Sequence, residues 1–236
     1  YGYDPSNRRI GKLLPNLVGA FYAWSGWDLI EAYDLGFTPT TVWFEGALVD
    51  EHLGYAFRDP AAGVWQRFGY MQNQARSVAA VVDASGLMVE SYEYDPYGRM
   101  TVFSPTGTPT GQAPTAPGQV LTFAGRQFDS EPGLMYLRNR YYNPAHGSML
   151  TQDRLGAFAD AYANGNAYAY CGCSPVGRFD PLGLYTVVFV APPGGKLEQS
   201  AAERLASNDP EGGVVVNLVP DGKGGHTAKP GEYVPP

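Results

Sequence analysis

The sequence predicts an all-β fold in which antiparallel hairpins follow one another as a meander. Three observations carry this prediction: abundant Gly and Pro, many aromatic but few charged residues, and turn signals between short apolar segments. The chain has 30 Gly and 20 Pro among 236 residues, with 17% charged and 14% aromatic residues. This composition disfavours long solvated helices and excludes a coiled coil or a helix bundle as the main architecture. Because 44% of the residues are hydrophobic, a wholly disordered chain is excluded as well.

Hairpins are predicted where apolar segments flank turns built from Ser, Asp, Gly or Pro. Asp at the first turn position and Gly at the fourth are typical of type I turns. Three units are predicted, each given as strand, turn and returning strand: Phe21–Trp24, Ser25–Asp28 and Leu29–Tyr33; Val78–Val82, Asp83–Gly86 and Leu87–Asp95; Leu121–Asp129, Ser130–Gly133 and Leu134–Tyr142.

Alternation within the returning strands predicts one buried face. Tyr92 and Tyr94 alternate with polar residues, which is the period of a half-buried strand. In the third unit, Leu134, Tyr136, Arg138, Arg140 and Tyr142 are predicted to share one face. We expect the two arginines there to order the β-layer rather than to bind an anion.

A repeat is indicated by three Tyr-Asp pairs in the first hundred residues. The pairs are Tyr3-Asp4, Tyr33-Asp34 and Tyr94-Asp95, and their spacings are close to one and two units of a common period of about 30 residues. Such a period is typical of stacked β-repeats.

Composition also predicts the domain organisation. We expect β-hairpins over residues 1–103, a flexible connector without bulky apolar residues over 104–119, a core or plug over 120–184, and a Gly/Pro-rich tail over 185–236. Helical spacing of apolar residues predicts short helices near 155–162 and 197–206.

Charge and residue usage exclude several function classes. The formal net charge is −7 and the cations are not clustered, so nucleic acid is not an expected partner. The longest strongly apolar stretch, Thr186–Ala191, is far shorter than a bilayer span.

Because the chain begins with Tyr1 instead of Met, we interpret it as part of a longer protein. Cys171 and Cys173 are expected to pack as small side chains, and no cofactor or metal site is predicted.

The stretch from Tyr92 to Leu184 resembles the core of the Rhs/YD-repeat family. The matching segments are YEYDPYGR at 92–99, LTFAGRQFDSEPGLMYLRNRYYNPAHGSMLTQDRLG at 121–156 and NAYAYCGCSPVGRFDPLGL at 166–184. Upstream segments fit the preceding YD units more loosely. With them the resemblance covers about three quarters of the chain.

The resemblance implies a bacterial, secreted or cell-surface protein of the polymorphic-toxin or toxin-complex type. In this family, YD repeats spiral into a hollow β-shell, the core closes it, and a variable C-terminal payload follows. The implied partners are the upstream YD repeats of the same chain, the payload, and secretion machinery or an immunity protein.

The resemblance also implies a self-cleaving site with two aspartates. The family motif Asp-Pro-x-Gly-Leu matches residues 180–184, and its first copy appears at 153–156 as Asp-Arg-Leu-Gly. The catalytic candidates are thus Asp153 and Asp180, the cleaved bond joins Leu184 to Tyr185, and the motif is supported by four further residues: Arg154, Gly156, Pro181 and Gly183. Arg154 replaces the family proline.

Two carboxyl groups can hydrolyse a peptide if one takes a proton from water while its protonated partner polarises the carbonyl. The same motif is, however, good turn chemistry on its own, since Asp accepts local amides and Pro fixes φ. Its Asp-Pro-x-Gly pattern also occurs at Asp95 and Asp209. Asp160 is a weaker third candidate.

The alternative function is a structural or adhesive YD-repeat fragment that never cuts its own chain. A stand-alone toxin in residues 185–236 would need a polar catalytic cluster, which this tail does not show.

Overall fold

The computed structural model describes residues 1–15, 18–47, 50–154, 156, 165–176, 178–180, 182–184, 187–188, 216–220 and 226–230. The chain divides into two compact units, Tyr1–Asn139 and Arg140–Pro236. The predicted division, with one segment over residues 120–184, stays a prediction.

The first unit is built on an eleven-stranded antiparallel sheet in which the strands lie in sequential order. The predicted all-β meander is confirmed. Its strands are β1 Gly2–Tyr3, β2 Arg9–Leu13, β3 Gly19–Ser25, β4 Asp28–Tyr33, β5 Pro39–Glu45, β6 His52–Arg58, β7 Trp65–Gln72, β8 Val78–Asp83, β9 Met88–Tyr94, β10 Met100–Phe103 and β11 Pro109–Gly111.

One face of this sheet carries the hydrophobic core. Trp43 and Tyr55 lie directly opposite each other on β5 and β6, and both are buried. Burial alternates along the strands, as the predicted period of two requires, and Tyr92 lies on the buried face. Ala116 and Leu121, from the segment that follows β11, pack into the same cluster.

Six hairpin turns among the described residues of the first unit share one hydrogen-bond pattern. The amide of the first residue donates to the carbonyl oxygen of the residue four positions later, and the amide of that later residue donates to the side-chain oxygen of the first. The fourth residue has a positive φ, as in a type I turn followed by a bulge. These turns begin at Asp4, Asp34, Asn73, Asp83, Asp95 and Ser104. Each Tyr-Asp pair of the sequence therefore marks the point where a strand enters such a turn.

The segment 104–119 differs from the predicted flexible connector. Its residues Pro109–Gly111 form β11, which pairs with β10. Further along, the amide and hydroxyl of Thr115 donate to the buried carboxylate of Glu90, at 2.9 and 2.7 Å. The prediction rested on the lack of bulky apolar residues, but backbone pairing and a buried carboxylate order this segment without them.

The third predicted hairpin is shorter than expected. A tight 3₁₀ turn at Phe123–Gly125 replaces most of its first strand, leaving β12 Gln127–Asp129 paired with β13 Leu134–Leu137. The prediction of one strand over Leu134–Tyr142 is wrong, because Arg138 has φ +62° and ends β13. β14 begins at Arg140, so the two arginines do not share a strand face.

Arg138 instead enters a buried ion cluster in the first unit. Its guanidinium contacts Oδ1 of Asp50 at 2.9 Å, and Arg126 binds the other oxygen of the same carboxylate. Burial and the neighbouring Arg126 charge lower the pKa of Arg138 to about 10. The cluster fixes the segment after β11 to the loop before β6.

The second unit contains short antiparallel pairs. β14 Arg140–Asn143 pairs with β15 Ser148–Met149, β16 Arg178–Phe179 with β17 Val187–Val188, and β18 Val216–Pro220 with β19 His226–Pro230. A 3₁₀ turn lies at Cys171–Cys173. The predicted helices near 155–162 and 197–206 lie outside the described residues, apart from Gly156. In the described part of the chain, no helix has the length and apolar character needed to span a membrane.

Candidate functional site

Arg140 brings the two predicted aspartates together in the second unit. Its Nη2 atom lies 3.1 Å from Oδ2 of Asp153 and 3.4 Å from Oδ2 of Asp180. All three side chains are at least nine-tenths buried. Both carboxylates contact the same nitrogen. Two aspartates that are 27 residues apart in the sequence therefore lie in one site.

The same guanidinium also holds the backbone of the site. Its Nε atom donates to the carbonyl oxygen of Gly183, and its Nη1 atom donates to the carbonyl oxygen of Ala167 at 3.2 Å. The amide of Asp153 donates to that Ala167 oxygen as well, at 3.0 Å. Arg140 therefore links both carboxylates to the backbone at Gly183 and Ala167.

Asp180 forms hydrogen bonds with the backbone of the residues just before the predicted cleavage point. Its Oδ1 atom accepts hydrogen bonds from the amides of Gly183 and Leu184, at 2.7 and 3.1 Å. Gly183 has φ +71°, a conformation in which glycine carries no steric cost. Leu184 is only 1% exposed, so its side chain anchors the end of this turn.

The other described copy of the motif shows what turn chemistry alone produces. Asp95 begins a hairpin turn in which Oδ1 accepts the amides of Tyr97 and Arg99, with Gly98 at φ +82°. The sequence patterns at Asp95 and Asp180 are thus alike, and both form an Asp-anchored turn. Asp180 differs in being buried, and in contacting a buried arginine that also contacts a second carboxylate.

Two buried tyrosine rings pack in the same unit. The centroids of Tyr142 and Tyr170 are 4.4 Å apart, and both side chains are almost fully buried. Burial foremost, with the neighbouring Cys171 and Asp180, raises the pKa of Tyr170 well above its ordinary value. Its phenol is therefore neutral at physiological pH and adds no charge beside Asp180.

The structure accounts for several predicted residues and leaves others outside its description. Arg154 is exposed, and the cation found at the Asp153 carboxylate is Arg140. The amide of Gly156 donates to the Asp153 carbonyl oxygen at 3.1 Å. Pro181, Tyr185 and the third candidate Asp160 lie outside the described residues.

Arg140 is the residue that sequence reasoning missed. The alternation over Leu134–Tyr142 predicts that it shares a strand face with Arg138 and orders the β-layer instead of binding an anion. The structure shows that it binds two carboxylates. The pair of aspartates could have indicated this role, since two buried carboxylates need a buried cation to balance their negative charge.

Among the described residues, no group of three or more His, Cys, Asp and Glu side chains is arranged to hold a metal ion.

No protein-family model matches the chain. Over 191 residues it is 29% identical to the tRNA3(Ser)-specific nuclease WapA of Bacillus spizizenii. This match covers 80% of this chain and 8% of that protein. Over 197 residues it is 29% identical to the probable deoxyribonuclease RhsB of Dickeya dadantii, covering 78% of this chain and 12% of the relative. The chain is related to Rhs and WapA proteins. It spans only a small part of the length of these relatives, which are nucleases by name.

Solved structures agree with this relationship at the level of the fold. A chain in the Photorhabdus luminescens Tc holotoxin pore superposes with a TM-score of 0.57 and 20% identity. The superposition covers 78% of this chain and 9% of the other. The antiparallel β architecture is thus shared with a Tc toxin chain.

Proposed function

We propose that this chain is the C-terminal core of an Rhs-type β-shell that encloses a payload, and that it cuts its own backbone after Leu184. The observation that carries the proposal is the contact of Asp153 and Asp180 with one guanidinium, while Asp180 also holds the Leu184 amide. The upstream YD repeats of the same chain and the C-terminal payload are then its partners. Secretion or surface display, and an immunity protein, follow from the toxin-type relatives.

The proposed reaction is hydrolysis of the Leu184–Tyr185 peptide by water. One carboxylate takes a proton from water, and the hydroxyl adds to the Leu184 carbonyl carbon while the protonated partner donates to its oxygen. Collapse breaks the C–N bond, the proton passes to the Tyr185 nitrogen, and a carboxylate is left on Leu184. Since Asp180 lies four residues before the cut, the reacting bond is held close by connectivity.

Arg140 has a defined part in this proposal. Its bond to the Gly183 carbonyl fixes the peptide that precedes the reacting residue. Its guanidinium contacts both carboxylates as an ion pair, whereas the reaction needs one carboxyl group to carry a proton. The reacting state therefore requires the guanidinium to shift from one of them.

A second candidate function, a shell core that never cuts, is favoured by the same arginine. In the buried cluster, one arginine contacts two carboxylates and two carbonyl oxygens. These contacts stabilise the core whether or not a reaction takes place. In this case the Asp153–Arg140–Asp180 contact serves only to close the core.

The two functions can be separated by expressing the longest reading frame that contains this chain. The intact mass and the N-terminal sequences of the purified protein are then measured. Self-cleavage predicts a pair of fragments, one ending at Leu184 and the other beginning at Tyr185. A single uncut mass from a folded protein, with buried amides protected from exchange, would refute the cleavage and leave the structural function.

A further inference from the structure

One carbonyl oxygen, that of Ala167, contacts both the arginine and the first aspartate of the candidate site. It accepts hydrogen bonds from Nη1 of Arg140 at 3.2 Å and from the amide of Asp153 at 3.0 Å. Two of the groups in the proposed reaction therefore take their orientation from the peptide group to which this oxygen belongs.

The guanidinium of Arg140 is a rigid planar fork, so the contacts of two of its nitrogens determine where the third one lies. Nε donates to the carbonyl oxygen of Gly183, and Nη1 donates to that of Ala167. With these two nitrogens held, Nη2 lies 3.1 Å from Oδ2 of Asp153 and 3.4 Å from Oδ2 of Asp180. A rotation of the Ala167 carbonyl would turn the fork and change both distances.

The side chain of Asn166 holds the peptide group that carries this carbonyl. Its Oδ1 atom accepts a hydrogen bond from the amide of Tyr168 at 3.0 Å. The carbonyl of Ala167 and the amide of Tyr168 are the two ends of one planar peptide group, so fixing the direction of one end fixes the other. The Asn166 side chain therefore sets the direction in which the Ala167 oxygen points.

Backbone hydrogen bonds attach the same turn to itself and to β15. The amide of Ala169 donates to the carbonyl oxygen of Asn166 at 3.1 Å, and the amide of Met149 donates to that of Tyr168 at 2.9 Å. These bonds do not involve the side chain of Asn166, so the turn keeps them when that side chain is shortened. Asn166 is exposed, and its replacement opens no cavity in the core.

We propose that Asn166 is a positioning residue for cleavage of the chain after Leu184, and this inference rests on the proposed function. Asn166 acts through the Ala167 carbonyl, which sets the angle of the Arg140 guanidinium and holds the backbone of Asp153. This anchor also keeps the guanidinium in the site when Nη2 leaves one carboxylate, as the proposed reaction requires. Without the Asn166 oxygen, the peptide can rotate and both groups lose their shared anchor.

The rate of the cut tests this role in the longest reading frame that contains the chain. Asn166→Ala should slow the appearance of fragments that end at Leu184 about tenfold, the order expected when one hydrogen bond is lost. Asn166→Asp should restore the rate, because a carboxylate oxygen forms the same contact, as Asp95 does with the amide of Tyr97.

Asn143→Ala is the matched control. Oδ1 of Asn143 accepts the amide of Ala145, two residues later, at 2.9 Å in another turn of the same unit. This variant should lose a similar contact and keep the wild-type rate. The exchange protection of the Asp153 amide, corrected for intrinsic rates, should fall about tenfold in Asn166→Ala and stay unchanged in Asn143→Ala.

The outcomes distinguish this inference from the proposed function. A folded wild type that stays uncut refutes the cleavage, and the positioning role with it. If the wild type cuts itself, the positioning role alone is overturned by an unchanged rate in Asn166→Ala, by equal slowing in Asn143→Ala, by failure of Asn166→Asp to restore the rate, or by unchanged protection of the Asp153 amide. If Asn166→Ala does not fold, Asn166→Gln, whose amide oxygen lies one bond further from the backbone, should give the same slowing.

Discussion

Arg140 donates a hydrogen bond from Nε to the backbone carbonyl of Gly183, within a turn whose carboxylate it also contacts. One side chain thereby positions both the backbone and the acids of the candidate site. This relationship separates the motif at Asp180 from the hairpin turn at Asp95.

If the chain cuts itself, Asp153→Asn and Asp180→Asn should each abolish the cut while the protein stays folded. An amide keeps the volume of the carboxyl group but cannot exchange the proton. Intact mass detects the fragments, and circular dichroism verifies the fold. Asp34→Asn is the matched control, because Asn73 already forms the same kind of turn with its amide oxygen. Fragments that persist in both site variants would show that these aspartates are not the catalytic pair.

Replacement of Arg140 by Met should destabilise the protein by about 3–5 kcal/mol at neutral pH, the usual cost of removing one partner from a buried ion pair. Urea unfolding at neutral pH measures the loss. Arg140→Lys should have a stability between those of the wild type and Arg140→Met, since it restores the charge without the planar fork. An Arg140→Met variant as stable as the wild type would speak against a buried ion cluster at this position.

Asp50→Asn should cost about 3–5 kcal/mol at neutral pH, because it leaves Arg126 and Arg138 buried without their shared carboxylate. The folded-state pKa of Asp50 lies below its ordinary value. Its contribution is therefore present above the unfolded pKa of about 3.9 and is lost as the pH falls through the lower folded value. Unfolding between pH 6 and pH 3 should show wild type and variant converging, and a constant gap would contradict the assignment.

Gly98→Ala should destabilise the chain more than Gly86→Ala, although both glycines occupy the same turn position with φ near +82°. A Cβ atom at Gly98 would lie 2.5 Å from the Phe123 ring, whereas the space at Gly86 is open. We expect about 1–2 kcal/mol for the backbone cost at Gly86, and about 1–3 kcal/mol more for the clash at Gly98. Thermal unfolding compares the two, and equal losses would show that Phe123 moves aside freely.

The sequence by itself determined the antiparallel meander and the positions of its turns. Tyr-Asp pairs and Asp-x-x-Gly signals act through hydrogen bonds within four or five residues, so local chemistry suffices to predict them. The family resemblance predicted Asp153 and Asp180 as the catalytic pair, whereas local turn chemistry could not distinguish Asp180 from the turn-forming Asp95. Short-range patterns also misplaced Arg138 and Arg140 on one strand, because a positive φ at Arg138 is not encoded by its residue type.

Only the tertiary structure decided which groups meet across long separations. Arg140 reaches Asp180 over 40 residues, Arg138 reaches Asp50 over 88, and His52 reaches Gly125 over 73. These contacts depend on burial, since a carboxylate or imidazole removed from water must find a partner wherever the packed chain provides one. The local sequence around an arginine does not indicate which carboxylate it will pair with, because that pairing is set by the packing of the folded core.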